Sequence, residues 1–140
     1  MTLQSFHNDQ KVKDKYVNRV RQHIKADNLI RGTGWSNGKG CAVGCTLENY
    51  NHSRYPIELG VPEWLARVED TLFEGMSFEK SQTWPLEFLQ AIPLGVTEEQ
   101  FDKNVKAPFM IAILNSSLES FNNEEFPDVT QTIQDCIKSV

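Results

Sequence analysis

Between residues 12 and 24 the apolar side chains Val17, Val20 and Ile24 recur at three- and four-residue intervals among basic and amide residues, the spacing that lines one face of an α-helix. Asn8 or Asp9 stands where the N-cap of such a helix falls. A glycine-rich run ends the pattern. CAVGCTLENY, from Cys41 to Tyr50, then reads as a short helix. Gly44 inside it costs about 1 kcal/mol relative to alanine, which implies a glycine kept for close packing. Two later segments share one grammar, a proline at the start and a glycine at the stop: SRYPIELG with Pro56 and Gly60, and VPEWLARVEDTLFEG with Pro62 and Gly75. In the second, Trp64 or Leu65, Val68, Leu72 and Met76 make one apolar stripe. Pro85 opens PLEFLQAI, closed by Pro93, and Thr97 with Gln100 forms a T-x-x-Q capping box for a following turn.

PFMIAILNSSLESF, from Pro108 to Phe121, contains a six-residue apolar run that suits either a buried strand or a buried helix. Leu114, Leu118 and Phe121 continue it at helical spacing, so helix is expected. Pro127 and Asp128 open a last helix whose stripe is Val129, Ile133, Cys136 or Ile137, and Val140. No segment alternates in the manner of a strand. The pattern predicts an all-α fold, a single-domain irregular helical bundle of about six to seven helices. Its expected core holds Trp64, Leu65, Val68, Leu72, Leu86, Leu89 and Ile92, with Ile111, Leu114, Ile133 and Ile137 from the later helices.

Composition narrows the class. With 140 residues, 39% hydrophobic and 24% charged, the chain suits one globular domain over residues 1–140, and no repeat or linker divides it. Its longest apolar run, FMIAIL, is far short of the ~20 residues that a membrane span needs, so no membrane association is expected. The N-terminus has no apolar signal segment, which predicts a cytoplasmic protein. Three cysteines fit reduced thiols. Four apart on a helix, Cys41 and Cys45 would have Cβ atoms about 5–6 Å from each other, too far for a disulfide. The net charge of −5 is uneven: residues 1–31 hold seven Lys and Arg against three Asp, and the remainder seven against sixteen acidic residues. Residues 1–31 are therefore a basic helical arm on an acidic body, expected to dock on that body. Nucleic-acid contact through Lys11, Lys15, Arg19 and Lys25 is the weaker alternative, because an acidic body repels phosphate.

Chemistry concentrates in GTGWSNGKGCAVGCTLENYNH, residues 32–52. A glycine loop and a lysine before a helix N-terminus favour an anion, so Trp35, Gly38, Lys39, Gly40 and Cys41 form a candidate site for a phosphate-bearing small molecule. It is not a Walker loop, since Gly40 replaces the required Ser or Thr. The competing reading is a tight turn that permits close packing. A second candidate is a thiol site, in which Cys41 near the helix N-terminus becomes a thiolate, His52 is its base, and Glu48 or Glu58 orients the imidazole. C-x-x-x-C is not a zinc-knuckle spacing, and Glu63, Glu69, Asp70 and Glu74 are read as solvated helix surface without a paired metal motif. No metal and no cofactor is expected.

The blocks GKGCAVGCTLENYNHSRYPIELGVPEWLARVEDTLFEG and TWPLEFLQAIPLGV, covering about residues 38–96, resemble a family of uncharacterised bacterial and phage-associated hypothetical proteins. The resemblance implies that this stretch is one structural unit and transfers no catalytic residue. The functional expectation is a small soluble binding or regulatory protein, phage- or mobile-element-associated, with a small-molecule or protein partner. The alternative is a thiol-dependent enzyme using Cys41 with His52.

Overall fold

Asp9 caps the first long helix, α1 (Gln10–Lys25), its carboxylate accepting the Lys11 N–H at 2.8 Å. In the computed structural model, which describes residues 2–120 and 127–139, α1 buries Tyr16, Val17 and Val20. The helix packs on α2 (Ala42–Leu47) and α6 (Trp84–Ala91). Two of its basic residues, Lys13 and Arg19, bond to the backbone of the same region. Lys13 Nζ donates to the carbonyls of Gln90 and Ile92 at 3.0 and 2.6 Å, and Arg19 donates to Thr46 O at 3.0 Å. Ahead of α1, a 3₁₀ turn at Ser5–Asn8 buries Phe6. It is tied to the segment that follows α6 by Ser5 N–H on Val96 O, Val96 N–H on Ser5 Oγ and Gly95 N–H on Ser5 O.

The glycine-rich stretch contains a minimal hairpin, β1 (Trp35–Ser36) and β2 (Lys39–Gly40), paired antiparallel with Trp35 opposite Gly40. Its turn is Asn37-Gly38, both with positive φ (52° and 77°), the requirement of a type I′ turn. No strand was expected here; strands of two residues are too short to alternate, and the Asn-Gly pair was the signal available. Hairpin and α2 meet at one point. The Gly34 carbonyl oxygen lies where a Cβ on either Gly40 or Gly44 would stand, and the Tyr50 ring covers Gly34 itself. Every residue of α2 is buried, and Cys41 caps it through a bond from Gly44 N–H to Sγ at 3.4 Å. Cys41 and Cys45 are free thiols, as their helical spacing requires.

Two helices complete this layer. α3 (Arg54–Leu59) stops at Gly60, whose φ of 63° permits the left-handed cap. α4 (Glu63–Gly75) buries Leu65, Ala66, Glu69 and Phe73. That face differs from the predicted stripe: Leu72 is 41% exposed, and with Met76 it lines a groove of about 420 Å³ together with Lys80 and Trp84. The reason is Glu69, an acid in a core position that a count of apolar residues passes over. A one-turn helix, α5 (Phe78–Ser81), precedes α6.

Contacts gather the chain into two compact units, Met1–Glu98 and Glu99–Val140. The boundary falls inside α7 (Glu98–Phe101), where no linker composition marks it. A π-helical stretch, Asp102–Lys106, then leads into α8 (Ala107–Ser120), and α9 (Pro127–Ser139) packs on α8. The apolar run FMIAIL is thus helical, and the all-α class holds. Phe121 and Val140, assigned to the stripes of the last two helices, lie outside the described residues. Among the described residues no helix is long and apolar enough to cross a membrane.

Two glycine substitutions should act with opposite sign. Gly44→Ala drives a methyl group into the Gly34 carbonyl and should lower the unfolding free energy by about 1–3 kcal/mol. Gly75→Ala meets no atom within 4 Å and should raise it by about 0.4–1 kcal/mol. Urea titrations of the two variants check this directly.

Candidate functional site

The amides expected to receive an anion are already bonded. Gly40 N–H donates to Asn28 O at 3.0 Å, Cys41 N–H to Thr33 O and Gly34 O at 2.9 and 3.1 Å, and Gly44 N–H to the Cys41 sulfur. Lys39 is exposed on β2, Gly38 sits in the hairpin turn, and Trp35 packs edge-on to His23 with ring centroids 5.5 Å apart. α2, with six residues, also offers only a short dipole. In this geometry Gly34, Gly40 and Gly44 serve the close approach of backbone to backbone.

The thiol set is also rearranged. Cys41 is fully buried, and burial pushes its thiol well above the ordinary range; the neighbouring Asp70 carboxylate adds to this, and the Gly44 N–H only partly offsets it. A depressed, thiolate-forming Cys41 was expected from its place at a helix start. Desolvation reverses the sign, because the sulfur points into the interior and not toward water. Glu48 lies beyond the end of α2 in a left-handed conformation, bonded to His23 Nε2 at 3.0 Å, with Arg19 at 4.0 Å. Glu58 accepts from Tyr16 OH at 2.9 Å and pairs with Arg54. His52 is oriented instead by Asp70, whose Oδ2 receives its Nε2 at 3.0 Å.

Asp70, expected from the sequence on solvated helix surface, is instead largely buried at the centre of a recess. Asp70 and Glu74 are four residues apart on α4, hence on one face. That face meets the N-cap of α2. One ligand-type atom from each of Cys41, Asp70 and Glu74 lies within 4.8 Å of the other two. Tyr50 OH donates to Asp70 Oδ2 at 2.7 Å, and the Tyr50 and His52 rings meet edge to face with centroids 5.0 Å apart. This bond, with some burial, raises the Tyr50 hydroxyl to about 12, so it stays a donor at neutral pH. Glu74 is anchored through Oε2, which accepts Gly32 N–H at 2.7 Å. Asp70 Oδ1 is buried beyond the reach of Tyr50 and His52, and the Cys41 thiol is the hydrogen-bond donor beside the carboxylate on that side. Exposure grades from the fully buried Cys41, through Asp70 with 13% of its side chain exposed, to the exposed Glu74. The recess thus presents acceptors and a thiol, a lining suited to a cation or to a hydrogen-bond donor.

One residue before Asp70, the Glu69 carboxyl turns into the core and accepts from Tyr55 OH at 2.6 Å. Burial raises it to about 8; the Tyr55 bond works against the shift, and the charge of Asp70 adds to it. Glu69 is therefore mostly neutral at pH 7.

These features define an all-α chain with a carboxylate-and-thiol recess where the start of α2 meets α4. No protein-family model, no curated protein and no solved structure matches the chain.

Two measurements follow from the buried groups. Because Cys41 and Cys45 are buried and Cys136 is exposed, iodoacetamide under native conditions should label Cys136 alone, as read by peptide mass spectrometry. Rapid native labelling of Cys41 would mean an accessible thiol. For Glu69 the native fold favours the protonated acid, so its contribution to stability falls as pH rises from about 4.5 to about 8 and is flat above. Relative to Glu69→Gln, the wild type should lose stability over this range with a slope of up to about 1.4 kcal/mol per pH unit. A pH-independent difference between the two proteins would mean that Glu69 titrates alike folded and unfolded.

Proposed function

We propose that this chain is a small ligand-binding or regulatory protein whose ligand seat is the recess of Cys41, Asp70 and Glu74, edged by Tyr50 and His52, and whose ligand is cationic. The observation that carries this reading is the convergence of two acidic side chains and a thiol, one ligand-type atom of each lying within 4.8 Å of the other two. Asp70 Oδ1 has no partner there but the Cys41 thiol, and among the described residues neither Asp70 nor Glu74 pairs with a lysine or arginine.

A thiol-dependent enzyme is the second reading. It requires a thiolate in contact with its base, whereas His52 is bonded to Asp70 and Cys41 is held as the thiol. Binding is therefore placed first.

A thermal-shift screen separates the cation seat from the anion loop. Inorganic and organic cations and phosphate-bearing compounds are tested on wild type, Asp70→Asn and Lys39→Ala. A cation at a hundred times its Kd should stabilise wild type by about 2.7 kcal/mol. The shift should vanish in Asp70→Asn and survive in Lys39→Ala. Stabilisation by phosphate compounds that depends on Lys39 would overturn the proposal in favour of the glycine loop.

A further inference from the structure

We infer that the recess is a site for a divalent transition-metal ion of borderline softness, zinc foremost, bound by Cys41 Sγ, Asp70 Oδ1 and one carboxylate oxygen of Glu74. The inference rests on the ligand-binding reading above and names the chemistry of the ligand. One sulfur and two carboxylate oxygens select against magnesium and calcium, which take oxygen alone, and suit zinc or cobalt. A tetrahedral zinc centre, with Zn–S near 2.3 Å and Zn–O near 2.0–2.2 Å, sets its ligand atoms about 3.3–3.8 Å apart. The three residues already hold theirs within 4.8 Å, so modest side-chain rotation closes the set.

The surroundings are those of a supported metal site. Each carboxylate ligand is fixed through the oxygen it does not need to offer. Tyr50 and His52 both hold Asp70 by Oδ2, which leaves only the Cys41 thiol proton, lost on metal binding, beside the other oxygen, and the Gly32 amide holds Glu74 by Oε2. The Gly44 N–H donates to Cys41 Sγ, a bond that favours the deprotonated sulfur. Such outer contacts orient ligands before the metal arrives. Glu74, the outermost of the three, is exposed to solvent. Binding forms the metal–sulfur bond as the Cys41 proton passes to bulk water, with no change of oxidation state. Three protein ligands leave a fourth position for water or a donor atom of a further molecule, the arrangement of an open zinc site.

Cobalt(II) reports on the sulfur directly. The probe is Co²⁺ added to the untagged, metal-free full chain carrying Cys136→Ser, which removes the exposed thiol of α9. A single equivalent should produce a thiolate-to-cobalt charge-transfer band in the near ultraviolet, and Zn²⁺, but not Mg²⁺, should bleach it. Glu74→Gln, at an exposed position that does not endanger folding, should weaken Co²⁺ affinity at least about tenfold. Cys41→Ser should abolish the band, and the circular-dichroism spectrum shows whether α2 survives the loss of its cap. Co²⁺ bound without the sulfur band would overturn the assignment. If neither Co²⁺ nor Zn²⁺ binds while an organic ammonium or guanidinium compound stabilises the protein through Asp70, the metal inference falls and the ligand-binding reading stands. If no cation of either kind binds, both fall.

Discussion

The Gly34 carbonyl oxygen occupies the volume that a side chain at residue 40 or 44 would take, and much of the remaining structure depends on that approach. With no Cβ at either position, the start of α2 lies against the hairpin backbone, and the Cys41 N–H reaches Gly34 O at 3.1 Å. α2 is thereby drawn fully into the interior, with α1 packed on one side of it and α4 on another. Tyr50 lies over Gly34 and directs its hydroxyl onto Asp70. The arch sets both the centre of the core and one wall of the recess, so a methyl group at residue 44 disturbs packing and site together.

Where a helix buries one face and exposes the other, the sequence is easily read. Asp9, Pro62, Gly60 and Pro127 mark helix ends, and the face of α1 is written in the spacing of Val17 and Val20. Where burial is not amphipathic the helix can be expected but its buried face cannot be read, as at α2, which was expected as a short helix and is one. α2 is buried all round and therefore has no period. On α4 the buried face is turned away from the apolar stripe because Glu69 occupies a core position, and an apolar count gives an acid no weight. Nothing in its local sequence says that Tyr55, fourteen residues earlier, supplies a donor to it.

The site was legible as residue types and illegible as pairs. Cys41 and His52 stand out in the sequence, but the carboxylate that each approaches is Asp70, which is distant from both along the chain. The glycines mislead for a definite reason: an amide cradle for an anion and a tight contact between backbones both require the absence of a Cβ. Only an account of where each N–H bonds separates them, and that account needs the fold. Cys41 shows the same ambiguity in its energetics. A helix start favours an anion by about 0.3–1 kcal/mol, less than one pKa unit, whereas full burial moves a group by up to 3–5 units in the opposite direction. Position along a helix is visible in sequence and depth is not, so the weaker effect was the one that could be read.

Glu69 and Asp70, adjacent in the chain, show how one helix turn serves both interior and recess. Successive residues on an α-helix point about 100° apart, so one carboxyl enters the core while the next faces the N-cap of α2. Two adjacent charges at that depth would repel each other and both lose hydration. The fold avoids this by keeping the inner acid largely protonated at neutral pH and bonded to Tyr55. The outer acid keeps partners on a single oxygen, Tyr50 and His52 both meeting Oδ2. The negative character of the recess then rests on Asp70 and Glu74, at the edge where Glu74 reaches solvent, and not on the carboxyl sealed beneath them. That division explains why α4 carries two consecutive acids within a buried turn: one completes the interior as a neutral hydrogen-bonded group, and the other turns its carboxylate toward the Cys41 thiol at the start of α2.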